Sequence, residues 1–189
     1  MKRLFVAVKL IPDDNFLKSY GALHHALLLE KISWVKPDNF HLTLKFLGKT
    51  PKEKLPAILT ALQQVAEQTE AFSMKMAGTG IFGSAYKPRV LWFGVENDTA
   101  IHQLGETVLN NLGKAGFPRD RQNFVPHLTI GRINKIEHKK MFQEAIAAHR
   151  HDFLQEFPVD KIILYESLLK PSEVIYRVIM DFSLELGNR

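Results

Sequence analysis

A chain of 189 residues is the right size for one domain, or for two small lobes sharing a core. With 46% hydrophobic and 24% charged residues it is an ordinary globular composition, and the absence of cysteine excludes disulfides, thiolate catalysis and Cys-based zinc or iron–sulfur centres. A formal charge of +5 and a pI of about 9.4 suit a polyanionic partner, although a basic solvated surface gives the same numbers.

The opening MKRLFVAVKLIPDD begins like a secretion signal and fails as one, because Lys9 interrupts the apolar run and Pro12-Asp13-Asp14 follows it without a small-residue cleavage site. No stretch approaches the roughly 18 apolar residues of a membrane span. A cytoplasmic protein with no membrane association is expected.

In chain order, residues 4–10 read as a short buried strand. Pro12-Asp13-Asp14 opens a helix on which Phe16, Tyr20, Leu23 and Leu27 recur at three- and four-residue spacing. ISWVKPDN is a turn-bearing approach to a strand, FHLTLKFLG. Thr50, Pro51 and Glu53 have the pattern of a capped helix start, and Leu55, Ile58, Leu59, Leu62 and Val65 supply that helix's buried stripe. Residues 72–76 and 89–95 read as paired strands around a glycine-rich connection, GTGIFGSAYKP. Asp98 is placed to cap a helix carrying Ile101, Leu104, Val108 and Leu112, closed by Gly113 and Gly116. A strand within PHLTIGR follows, then a helix with Phe142, Ala145, Ile146 and His149 on one side. KIILYESLL and VIYRVIMDFSLEL finish as strands. This order predicts an α+β fold, a single domain over residues 1–189 made of two similar lobes, each built on an antiparallel sheet.

One tetrapeptide nearly recurs half a chain apart: HLTL at 41–44 and HLTI at 127–130. On a strand, side chains alternate between faces. His41 and Thr43 therefore share one face while Leu42 and Leu44 point into the core. His127 and Thr129 pair in the same way against Leu128 and Ile130. Two imidazoles facing one ligand suit displacement at phosphorus, which needs a base for the entering oxygen and an acid for the leaving one. The threonine hydroxyls can donate to non-bridging phosphate oxygens. A single H-x-T is most often a hydrogen-bonded structural histidine; two copies in matching strand contexts are much harder to explain that way.

These paired tetrads resemble the signature of the 2H phosphoesterase superfamily. More closely, the chain resembles the bacterial and archaeal RNA 2′,3′-cyclic phosphodiesterases, historically called 2′-5′ RNA ligases. NFHLTLKFLG, RVLWFGV, FVPHLTIGR and ILYESLL match that family's characteristic segments in order. The resemblance implies a bilobal, pseudo-two-fold fold in which two antiparallel sheets flanked by helices enclose a central cleft, with one motif per lobe. It implies metal-independent hydrolysis of RNA 2′,3′-cyclic phosphate ends to 2′-phosphomonoesters. Carried over position by position, it makes His41 the proton donor to the departing 3′ oxygen and His127 the proton acceptor that activates water. Thr43, Thr129 and Arg132 become the substrate-binding residues. The partner implied is RNA with a cyclic phosphate terminus, tRNA-derived ends included, acted on by a monomer without cofactor or metal.

Simple alternation places Arg132 opposite His127 unless Gly131 breaks the pleat. It places Lys45 with His41 and Thr43, and Phe46 with the core. Phe124 is a candidate for base stacking, and Arg119 and Arg121 for backbone phosphates. His24, His25, His138, His149 and His151 lack companions at metal-ligand spacing. GTGIFGS matches neither a phosphate-binding P-loop nor a dinucleotide fingerprint. Any ligation would therefore be ATP-independent 2′-5′ joining by the reverse chemistry. A non-catalytic RNA-end-binding module is the remaining alternative.

Overall fold

The computed structural model describes residues 1–84, 86–96, 99–119, 123–170 and 174–187. Nine strands and four α-helices alternate as β1 (Lys2–Lys9), α1 (Asp14–Ala26), β2 (Lys31–Trp34), β3 (His41–Thr50), α2 (Leu55–Glu67), β4 (Phe72–Gly83), β5 (Pro88–Glu96), α3 (Thr99–Lys114), β6 (His127–Lys135), α4 (Lys139–Ala148), β7 (Phe153–Val159), β8 (Lys161–Leu169) and β9 (Val174–Ser183).

The strands run in the order β7-β4-β5-β6-β3-β1-β8-β9, all neighbours antiparallel, with β2 also paired to β6. Two sheets were expected, and two half-sheets are visible, but they are joined. The join is a single registered pair, Leu42 with Leu128. Beyond it β3 turns to β1, and β2 occupies the edge of β6 that β3 leaves, from Trp34 against Gly131 to Lys31 against Lys135. The motif strands β3 and β6 thus meet at the seam where the halves diverge. Each half mixes early and late strands: β1 and β3 sit with β8 and β9, and β4, β5 and β6 with β7.

Among the described residues, the helices cover one face of the sheet. α1 packs on β7, α4 on β4, and α2 and α3 pack together over β8, β9 and β3. Their apolar stripes meet the inward residues of the strands in one continuous core that includes Phe16, Leu23, Phe40, Leu42, Leu62, Phe93, Leu104 and Leu128. Phe16 is fully buried and touches Phe40, Phe93 and Phe157 edge-on; burying such a side chain contributes about 1.5–3 kcal/mol. The opposite face holds a second, small cluster of Phe5, Ala7, Ile163 and Tyr165 with Tyr176 against it.

Several local expectations need correction. Asp13 does cap α1, accepting from the Phe16 N–H at 2.8 Å, but Thr50 belongs to β3 and donates to the Gly48 carbonyl. A short 3-10 turn at Lys52–Lys54 precedes α2, which begins at Leu55. The glycine-rich connection is largely strand β4, where Gly78, at φ 74°, sits at a break in register. Gly113 lies inside α3, and only Gly116, at φ 88°, adopts the left-handed turn after it. The expected cap Asp98 lies outside the described residues. Strands β2 and β7 were not anticipated. β2 is four residues long and β7 contains Pro158, which an edge strand tolerates.

Candidate active site at the seam of the sheet

Directly opposed residues of an antiparallel pair face the same way, and their neighbours face the other. Leu42 and Leu128 oppose each other and are both buried beneath the helices. It follows that His41, Thr43, His127 and Thr129 all lie on the helix-free face, where the half-sheets pair. All four are part-exposed, between fully buried leucines and isoleucine.

The two strands share more than the tetrad. Their burial is identical over seven positions, residues 41–47 and 127–133. Both contain a β-bulge at the same place. On β3, Thr43 opposes Ala7 and Lys45 opposes Val6, so Leu44 is the extra residue. On β6, Thr129 opposes Trp92 and Gly131 opposes Leu91, so Ile130 is extra. A bulge shifts the alternation by one, and three expectations change with it. Arg132 opposes Val90 and returns to the face of Thr129 and His127. Phe46 opposes Phe5, on the face of His41, and is 59% exposed. Lys45 is turned away from that face; it is buried and donates its Nζ proton to the Pro118 carbonyl at 2.9 Å. The expected sides of Lys45 and Phe46 are thus exchanged.

Each histidine is held by the same device. His41 Nδ1 lies 2.7 Å from the Asn39 carbonyl, and His127 Nδ1 lies 2.7 Å from the Val125 carbonyl, in both cases two residues back. A carbonyl accepts only, so each Nδ1 carries the proton and each Nε2 remains for chemistry. Aromatic rings fix the other faces. His41 meets Tyr176 edge-on at 5.0 Å and Phe5 at 5.1 Å; His127 meets Phe82 edge-on at 4.7 Å.

Electrostatics ties the pair together. Burial pushes the His41 imidazolium down to about 4, against the favourable Asn39 hydrogen bond, and the charges of Lys9 and His127 depress it further. Burial also lowers His127, again opposed by its carbonyl. Each ring is near enough to the other for His127's charge to oppose protonation of His41. Arg132, from β6, is felt across the seam by the Tyr176 phenol of β9; that phenol is raised by burial and drawn back by Arg132 and Arg3. Lys9, opposite His41 and bonded to the Asp38 carbonyl, is a site neighbour that the sequence reading missed.

The remaining candidates lie elsewhere. Phe124 packs against His102 and over Gly105 of α3, where a Cβ would come within 2.5 Å of its ring. Arg119 is engaged by Glu106 and Asn110 on the same helix. Arg121 falls outside the described residues. His24 lies tilted against Trp34, with ring centres 4.6 Å apart, while His138 and His149 each have one carboxylate neighbour, Glu30 and Asp152. Those carboxylates were not foreseen, but among the described residues no three His, Asp or Glu side chains group as ligands.

Residues 34–170 match the model of a family described as the 2′-5′ RNA ligase superfamily. The chain belongs to that superfamily. It is 31% identical over 180 residues to an RNA 2′,3′-cyclic phosphodiesterase of Methanocaldococcus jannaschii, covering 95% of this chain and 99% of that one. A protein of the same name from Archaeoglobus fulgidus is 32% identical over 181 residues, with 95% and 99% covered. Among solved structures, TT0787 of Thermus thermophilus superposes with a TM-score of 0.79 at 29% identity, over 98% of this chain and 100% of the other. Escherichia coli LigT complexed with 3′-AMP shares the fold, with a TM-score of 0.74 over 97% and 98% of the two chains, at 22% identity. Among the described residues of this superfamily member, no helix is long and apolar enough to cross a membrane.

On the His127 side, the Trp92 indole lies flat on β4, because Gly80 has no side chain there; a Cβ would sit 2.2 Å from Trp92 Cζ2. The site is therefore walled by Phe82 and Trp92 on one half-sheet and by Phe5, Phe46, Tyr165 and Tyr176 on the other. In sequence these are scattered aromatics, and only strand pairing assembles them.

Proposed function

We propose that this protein hydrolyses RNA 2′,3′-cyclic phosphate ends to 2′-phosphomonoesters by two-histidine acid–base catalysis, with neither metal nor nucleotide. The observation that carries the reading is the placement of two Nδ1-anchored histidines, each with a threonine two residues on, on one open face at the Leu42–Leu128 pair that joins the half-sheets. The names of relatives matched nearly end to end support the substrate class.

His127 Nε2 takes a proton from water as its oxygen attacks phosphorus. The bond from phosphorus to the 3′ oxygen breaks on the opposite side, and His41 Nε2 gives its proton to that oxygen. The product is a 2′-phosphomonoester with a free 3′-hydroxyl. Thr43 and Thr129 donate hydrogen bonds to the non-bridging oxygens, and Arg132 answers their charge. Phe46 offers its exposed ring to the terminal base. The division between acid and base follows the family resemblance, because the anchoring of the rings is symmetrical. A 5′-hydroxyl in place of water would make the same displacement a 2′-5′ ligation, which is the second reading the superfamily's name favours.

Both rings lie below their ordinary value, so in the free protein both are neutral at pH 7. One must be protonated for turnover. As pH rises past the lowered values that form is lost; as pH falls far below them the base is lost. The bell-shaped profile of kcat/KM should therefore peak below about 6.5, the unperturbed imidazole value. A bound phosphate anion favours the imidazolium, so the profile of kcat should lie to the alkaline side of it. Steady-state rates on an oligonucleotide ending in 2′,3′-cyclic phosphate, measured in excess EDTA without ATP and with the product isomer identified, test the reading. Hydrolysis that disappears with chelator and returns with a divalent ion, or a 3′-phosphate product, would overturn it.

A further inference from the structure

Read outward from the seam, the open face of β1 and β3 forms two matched columns: Lys9 opposes His41, Ala7 opposes Thr43, Phe5 opposes Phe46, and Arg3 opposes Lys49. Bulges on β3 keep all eight side chains on this face. The rows run from histidine and threonine to an aromatic pair and then to a cationic pair. From Ala7 to Arg3 is four residues of strand, about 13 Å at the usual rise of about 3.3 Å per residue. Arg3 and Lys49 are both exposed, and the Arg3 charge is felt at Tyr176, which lies against His41. Among the described residues, the one carboxylate that strand register places on this face of the half-sheet, Asp181 opposite Ile163, is paired with Lys161 at 3.7 Å.

The chemistry gives this column a direction. Resting on the reading above, the departing 3′ oxygen goes to His41, so the ribose that keeps it lies on the β1–β3 half rather than the His127 half. The 3′ end of the RNA is closed in the ring, and the strand can continue only through its 5′ side. Phosphate, nucleoside and preceding phosphate then follow in the order in which Thr43, the aromatic pair and the cationic pair stand on the surface. We propose that Arg3 and Lys49 form a subsite for the phosphate preceding the terminal nucleotide, so that the substrate is an RNA end of at least two nucleotides rather than a cyclic mononucleotide. Arg3 is suited to bidentate contact with a phosphate, and Lys49 supplies a second positive charge beside it.

The test compares kcat/KM for a nucleoside 2′,3′-cyclic phosphate and for a dinucleotide ending in the same group, at low and high salt. The dinucleotide should be better by about ten- to a hundredfold, the worth of a charge-assisted hydrogen bond, and the advantage should shrink as salt rises. In the double variant Arg3→Gln, Lys49→Gln the ratio between the two substrates should fall to near one. Equal wild-type rates on the two substrates would overturn the subsite, as would a variant that loses the same factor on both. Hydrolysis of the mononucleotide without a dinucleotide advantage overturns the subsite alone; hydrolysis of neither substrate overturns the reaction itself.

Discussion

Replacing His41 or His127 by alanine should each lower kcat by about 10²–10⁴-fold, the usual contribution of one positioned proton transfer. RNA affinity should change little, because in the proposed mechanism the rings act on protons in the transition state while ground-state affinity comes from phosphate contacts and stacking. The double variant should cost far less than the product of the two single losses, since a base without its acid does little. Single-turnover rates beside equilibrium binding of a non-hydrolysable RNA end separate these effects. Both side chains are only part-buried at the open face, so the loss should appear without a matching fall in melting temperature. A large drop in affinity with normal turnover at saturation would assign the histidines to binding instead.

The second large effect belongs to the threonines. Thr43→Val and Thr129→Val preserve shape and strand preference while removing the hydroxyl donor. Each should lower kcat by about 10²-fold, near the lower end for loss of one oxyanion donor. Because the two hydroxyls occupy equivalent places on paired strands, the losses should be similar in size, and serine should restore most of each. A valine variant with a raised KM and normal kcat would mean that the hydroxyl binds substrate and transition state alike.

What could be read from the chain, and what could not, divides along the range of the physics. The shared face of His41 with Thr43, and of His127 with Thr129, follows from period-two alternation inside one strand. The helix start at Pro12-Asp13-Asp14 is equally local. The bulges at Leu44 and Ile130 are not: they exist only relative to β1 and β5, and no residue type marks them. Every expectation that counted positions across a bulge inverted, which is why Arg132 and Phe46 reach the site face and Lys45 does not. Gly131 is buried with its missing Cβ against Ile32 of β2, so its role is close packing beside the bulge. The joining of the half-sheets at Leu42 and Leu128 was similarly out of reach, because it is a pairing between strands 86 residues apart, with β2 on the same edge of β6 beyond it.

In the proposed mechanism His41 protonates the departing 3′ oxygen while His127 activates water. A cyclic substrate with sulfur in place of the bridging 3′ oxygen tests it most directly, since a thiolate leaves without needing a proton. Measured against the oxygen substrate, the His41→Ala variant should recover most of its lost rate on the sulfur substrate, and the His127→Ala variant should recover little. Equal recovery in both variants, or recovery in His127→Ala alone, would contradict the assignment.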